Sequence, residues 1–177
     1  RWAVSCDYGT VNPASFGLWG KRDGTWYRVK EYYFDSRREG SQKTDGEYAA
    51  ALAALVGGRA VRCVVVDPSA ASFIEVLRRE GWPVVKAVND VVSGIRLTAQ
   101  ALKSGRIVIC EGCADTLREM DLYCWQGPDS GADAPKKEND HAMDDIRYFV
   151  SSVLYKNEDE ALRLCGSVSN VCDRVDD

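Results

Sequence analysis

The run Trp2-Ala3-Val4-Ser5-Cys6-Asp7-Tyr8-Gly9-Thr10 carries an apolar segment onto a carboxylate and then into a glycine turn. Its counterpart is Val61-Arg62-Cys63-Val64-Val65-Val66-Asp67-Pro68, in which a β-branched run again reaches an aspartate and proline stops the strand. Asp7 and Asp67 therefore stand at strand exits. If the two strands are parallel neighbours, both carboxylates leave one edge of the sheet, the edge at which open α/β sheets bind ligands. Two anions so close repel unless a cation intervenes.

A third acid, Asp144, lies in Asn139-Asp140-His141-Ala142-Met143-Asp144-Asp145-Ile146-Arg147-Tyr148, which reads as the opening turns of a C-terminal helix. Ala142, Met143, Ile146, Phe149, Val150 and Val153 share one stripe and should pack on the sheet. Asp144 points away from the centre of that stripe, so it reaches the acids only if the helix leans over the sheet edge. His141, the only histidine, sits one helical turn before Asp144, where it can ligate a metal, orient a water or carry a proton. Asp140 and Asp145 flank the same turn, and spacing does not choose among the three acids.

Outward from these segments the first third reads as an antiparallel meander, with Ala3 to Asp7, Ser15 to Gly20 and Thr25 to Phe34 as strands and Asp23-Gly24 as a hairpin turn. Thr44 and Glu47 form a capping box for a helix that ends at Gly57-Gly58. Ser69 is expected to cap a helix ending at Gly81. Val84 to Val88 is a short strand, Asp90 to Ser104 a helix and Arg106 to Cys110 another strand. Strands alternating with helices after a meander imply an α/β fold, a mixed sheet of five or more strands with helices on both faces. Residues 126–139 form a turn-rich loop, residues 1–155 one domain, and residues 156–177 a polar C-terminal tail.

The chain has 177 residues, is 45% hydrophobic and 28% charged, and is long enough to bury a sizeable core. No segment is long enough to span a membrane. The start at Arg1, directly before a strand and without a charged and apolar leader, leads to the expectation of a domain excised from a longer, non-secreted protein. Seven cysteines, several inside strand patterns, fit a reducing cytoplasm. A net charge of −4 leaves nucleic acid open as a partner, because local basic patches matter more than the total.

The acids suit phosphodiester hydrolysis, for which two cations roughly 3.5 to 4 Å apart activate the nucleophile and neutralise the phosphate. Mg²⁺ and Mn²⁺ take carboxylate oxygens. Each acid taken singly also fits an ordinary strand-exit or solvated helix residue. Lys30, Arg37, Arg38, Lys43, Lys136 and Lys137 are candidate contacts to a nucleic-acid backbone, with a solvated surface as the plainer role. Trp26, Tyr27, Tyr32 and Tyr33 alternate along a hairpin strand and fit sheet packing better than base stacking. Cys110-Glu111-Gly112-Cys113 lacks the second pair that a structural zinc site needs. Asp7-Tyr8-Gly9-Thr10 also resembles the phosphate-binding hairpin of sugar kinases and actin-like ATPases, which need two such domains. A silent docking module is the remaining class.

Four segments in order resemble the C-terminal nuclease domain of the large terminase subunit of tailed bacteriophages, in the branch related to the PBSX-type prophage. They are Asp7 to Pro13, Val66 to Phe73, Asn89 to Ile95 and Asn139 to Tyr148, so the likeness runs from about Val4 to Tyr148. The resemblance implies a ribonuclease H-like fold and an endonuclease, using two Mg²⁺ or Mn²⁺ ions, that cuts concatemeric double-stranded DNA in the host cytoplasm. By motif position it makes Asp7, Asp67 and Asp144 the metal-binding acids, with His141 beside them. It further implies an N-terminal ATPase motor, a portal protein and a small terminase subunit as partners of the full-length protein. Resolvases and RNA/DNA hybrid nucleases share the fold and are the nearest alternatives.

Overall fold

A computed structural model describes residues 1–124, 126 and 135–156. Six strands form one sheet: β1 (Trp2–Asp7), β2 (Ala14–Arg22), β3 (Thr25–Phe34), β4 (Val61–Val66), β5 (Val84–Lys86) and β6 (Ile107–Ile109). Their spatial order is β5-β4-β1-β2-β3-β6. β1, β2 and β3 pair antiparallel, as the meander pattern requires, while β4, β5 and β6 add in parallel. The β2–β3 hairpin turns at Asp23 and Gly24, both at positive φ (50° and 86°), the backbone that tight hairpins demand.

Helices α1 (Ser36–Glu39), α2 (Asp45–Val56), α3 (Ala71–Arg79), α4 (Val91–Lys103), α5 (Ala114–Leu122) and α6 (His141–Phe149) connect and cover these strands. A π-helical turn, Val150–Leu154, extends α6. The capping box of α2 is formed in both directions, and Gly57 closes the helix at φ 59°. The expected Ser69 cap of α3 is not made. Ala70, which has no polar side chain, occupies the cap position, and the backbone N–H of Ser69 donates to Asp67 Oδ1 at 2.8 Å. α5 was not expected, and β5 is shorter than its apolar run. The tail expected over 156–177 lies, from 157 on, outside the described residues, as does residue 125 with 127–134 of the turn-rich loop.

The sheet separates two cores. On one face α2 and α3 pack Tyr48, Leu52, Phe73, Ile74 and Leu77 against Val4, Phe16, Leu18, Val64 and Val66. On the other, α6 and its extension bring Ile146, Phe149, Val150 and Val153 against Ala3, Trp19, Trp26 and Val65, and the rings of Trp19 and Phe149 stack at 4.0 Å. The stripe read for the C-terminal helix is thus its buried face. Trp26 and Tyr32 pack in opposite cores, because the β2–β3 register shifts between Leu18 and Trp19 and so reverses the alternation along β3. Among the described residues no helix is long and apolar enough to cross a membrane, and Cys6, Cys63, Cys110, Cys113 and Cys124 are unpaired thiols.

Candidate active site

β1 and β4 are parallel neighbours with Cys6 opposite Val66, and the Asp67 N–H donates to the Cys6 carbonyl at 3.3 Å. Asp7 and Asp67 consequently leave adjacent strands side by side. Ser69 N–H and the Tyr148 hydroxyl, the latter at 3.0 Å, both donate to the Asp67 carboxylate and hold its plane. α6 packs across β1 and β2 with its first turn over the strand ends. There His141 Nδ1 lies 2.9 Å from Asp7 Oδ2, and Nε2 lies 3.9 Å from Asp140 Oδ1. Asp144, one turn on, receives Arg147 at 2.9 Å (Nη2) and 3.1 Å (Nε), and Arg147 also donates to Asn89.

These groups border one open cavity of about 790 Å³, lined by Asp7, Asp67, Asp140, His141, Asp144 and Tyr148 together with Arg37, Arg38, Arg118 and Lys137. Asp7, Asp67, Asp144 and His141 therefore share one hollow, since α6 leans over the sheet edge so that its flank, not its apolar face, meets the cavity. The adjacent Asp145 does not reach it. Asp145 is fully buried beneath the helix, where it pairs with Arg28 Nη2 at 2.7 Å and accepts from the Ser15 hydroxyl at 3.1 Å. Of the basic residues singled out by sequence, Arg37, Arg38 and Lys137 line the cavity and Lys30, Lys43 and Lys136 do not. Lys43 sits over the Phe34 ring and donates to the Tyr32 hydroxyl. Sequence reading missed Arg118, Arg147 and the anchoring role of Tyr148, although the last two fall inside the Asn139 to Tyr148 segment.

Burial pushes the Asp7 carboxyl up to about 6, the nearby charges of Asp144 and Asp145 add to the rise, and the hydrogen bond and charge of His141 oppose it. For His141 burial acts downward, but the bond to Asp7 and the charges of Asp7, Asp140 and Glu119 outweigh it and hold the imidazole above its ordinary value. Asp145 also rises to about 6, since burial exceeds the pull of Arg28. Among the described residues no three His, Cys, Asp or Glu side chains stand close enough to hold a metal ion as they are. Cys113 is buried, with its thiol donating to the Arg28 carbonyl at 3.4 Å, which is a packing role.

No family model matches the sequence, and no curated protein does. Among solved structures the chain is similar to the large terminase of a thermophilic bacteriophage in complex with ADP, at 48% identity and a TM-score of 0.85, over 88% of this chain and 40% of that one. It is also similar to the large terminase nuclease domain of bacteriophage SPP1 with bound Mn (19% identity, TM-score 0.57, covering 82% and 84% of the two chains). The large terminase nuclease of thermophilic phage G20c with bound magnesium gives 15% identity and a TM-score of 0.65, covering 85% and 80%. The two lower identities establish the fold, which is ribonuclease H-like. The chain spans 40% of the length of the 48%-identical terminase.

Proposed function

Over the residues it shares with them this chain belongs with the bacteriophage large terminases, and from that premise we propose that it is their metal-dependent endonuclease domain, which hydrolyses concatemeric double-stranded DNA in the host cytoplasm. The observation that carries the reading is the single cavity bordered by Asp7, Asp67, His141 and Asp144, with arginine and lysine side chains on the same walls.

The donor chemistry fits Mg²⁺ or Mn²⁺, which prefer carboxylate oxygens. A carboxyl held up to about 6 by burial and by neighbouring acids is also the kind of group that a cation would return to its charged form. Asp7, Asp67 and Asp144 would hold two ions, which requires Asp144 to exchange its Arg147 partner for metal. Ions held there would supply neutralisation of the phosphate charge and of the charge developing at the attacking and leaving oxygens. The chain's own groups do the rest. Tyr148 and the Ser69 amide orient Asp67, while His141, bound to Asp7 through Nδ1, holds a proton at the cavity on Nε2, 3.9 Å from Asp140 Oδ1. Arg37, Arg38, Arg118 and Lys137 bind phosphates of the duplex, so cutting should show little sequence preference and a steep loss with salt.

In the full-length protein an ATPase motor, the portal protein and the small terminase subunit are the proposed partners. Asp67→Asn should abolish Mn²⁺-dependent nicking of plasmid DNA while circular dichroism and melting temperature stay at wild-type values. Nicking retained by a clean Asp67→Asn preparation would sink the reading.

A further inference from the structure

Two buried carboxylates outside the acid trio link successive elements end to end. α5 begins after Cys113, which offers no side-chain cap. Glu31 on β3 supplies one: Oε1 accepts from the Asp115 N–H at 2.7 Å, and Oε2 accepts from the Thr116 N–H at 3.0 Å and the Thr116 hydroxyl at 2.6 Å. α6 repeats the arrangement one step further along the chain. Its own cap residue, Asp140, makes no capping bond with its side chain, and Glu119 of α5 accepts from the Ala142 N–H at 2.6 Å on Oε2. The Tyr33 hydroxyl donates to Glu119 Oε1 at 2.6 Å, and Glu119 is 0% exposed.

An aspartate immediately before a helix ordinarily turns its own carboxylate onto the first free N–H groups. Here Glu119 has taken that place. Asp140 is released from it, and its oxygens lie instead 3.9 Å from His141 Nε2 and 3.8 Å from Lys137 Nζ. The residue next to Ala142 is His141, whose ring meets Asp7. The series of contacts therefore runs from β3 through α5 to α6 and ends on the first acid of the cavity.

We propose that Glu119 is a positioning residue for the nuclease site, fixing the first turn of α6 and through it the His141–Asp7 contact and the bearing of Asp140 and Asp144, without touching substrate. Its catalytic consequence rests on the function proposed above; its structural consequence does not. A buried charge-assisted bond to a backbone N–H is short and directional. Were it lost, Ala142 would have Asp140 as its nearest replacement acceptor, and the turn would rotate to make that bond.

The test uses the single histidine of the sequence as its probe. At one fixed pH, without metal or DNA, the imidazole ¹H–¹⁵N spectrum of Glu119→Ala should move away from the wild-type, carboxylate-bound position towards that of free histidine. Nicking should fall by up to about a hundredfold in kcat, the scale of a misplaced catalytic geometry, with KM for DNA unchanged. Glu119→Gln keeps an oxygen for the Ala142 N–H and should restore both the spectrum and the rate. Ile74→Ala, in the core on the opposite face of the sheet, should lower stability and leave the imidazole spectrum where it is.

A folded Glu119→Ala protein with a wild-type imidazole spectrum overturns the proposal, and so does Glu119→Gln displaced as far as the alanine variant. Should Glu119→Ala not fold, Glu119→Asp decides in its place, because its carboxylate is drawn back from Ala142. A displaced signal supports the proposal and an unmoved one overturns it. If the spectra respond as expected but the wild-type protein cuts no DNA, the nuclease reading alone fails.

Discussion

The two faces of the sheet are stabilised by different physics. The face under α2 and α3 is apolar and holds an aromatic cluster: Phe73 stacks on Tyr8 and Phe16, and Tyr48 meets all three edge-on. The face under α6 buries charge, with Arg28 paired to Asp145, Glu31 and Glu119 closing helix ends, and Arg147 spanning Asp144 and Asn89. Dispersion and burial are non-directional, so the first face can hold elements together without fixing their angle. Buried hydrogen bonds are directional and costly to leave half-made. The second face carries the helix whose first turn borders the cavity, and there the angle matters.

The largest break in this comparison is Asp145→Ala, which leaves the Arg28 guanidinium buried without its partner. It should cost about 4 kcal/mol in urea unfolding, and the double change Arg28→Met with Asp145→Leu should recover most of that loss. Leu52→Ala on the aromatic face should cost about 3 kcal/mol by opening a cavity, yet leave nicking unchanged wherever the protein is folded. Thr44→Ala removes the α2 capping box, and Thr44 itself does not line the cavity. Its expected cost is about 1 kcal/mol, again with wild-type nicking. The smallest stability effect is the most discriminating: Tyr148→Phe should lose less than about 1 kcal/mol and still slow nicking, because it frees the Asp67 carboxylate to turn. Equal rates for Thr44→Ala and Tyr148→Phe would erase the distinction between the two faces.

The aromatic face and the strand exits were legible because they are written locally. An apolar run followed by Asp-Tyr-Gly or Asp-Pro states both a strand and its end, and Thr44 with Glu47 states a helix start. The polar face was hidden for the opposite reason. α5, Ala114 to Leu122, buries the polar Thr116 and Glu119 while Leu117 and Leu122 are exposed, and its cap comes from Glu31 in a distant strand, so no neighbouring residue announces it. Asp144 and Asp145 are adjacent, and sequence spacing left open which would face the cavity. One signal was present: Asp145 falls three after Ala142 and four before Phe149, on the buried stripe, while Arg28 alternates inward with Trp26 along β3. A charge predicted inward on each of two facing elements points to a buried pair.

The space that admits Arg28 beneath α6 exists because position 17 on β2 is glycine. A Cβ there would overlap the Arg28 guanidinium itself. The two positions are consequently coupled: a side chain at 17 would require the guanidinium to leave its place, and with it the pairing to Asp145. Relatives with a side chain at position 17 should therefore lack the arginine–aspartate pair, whereas glycine at 17 is compatible with either keeping or losing that pair.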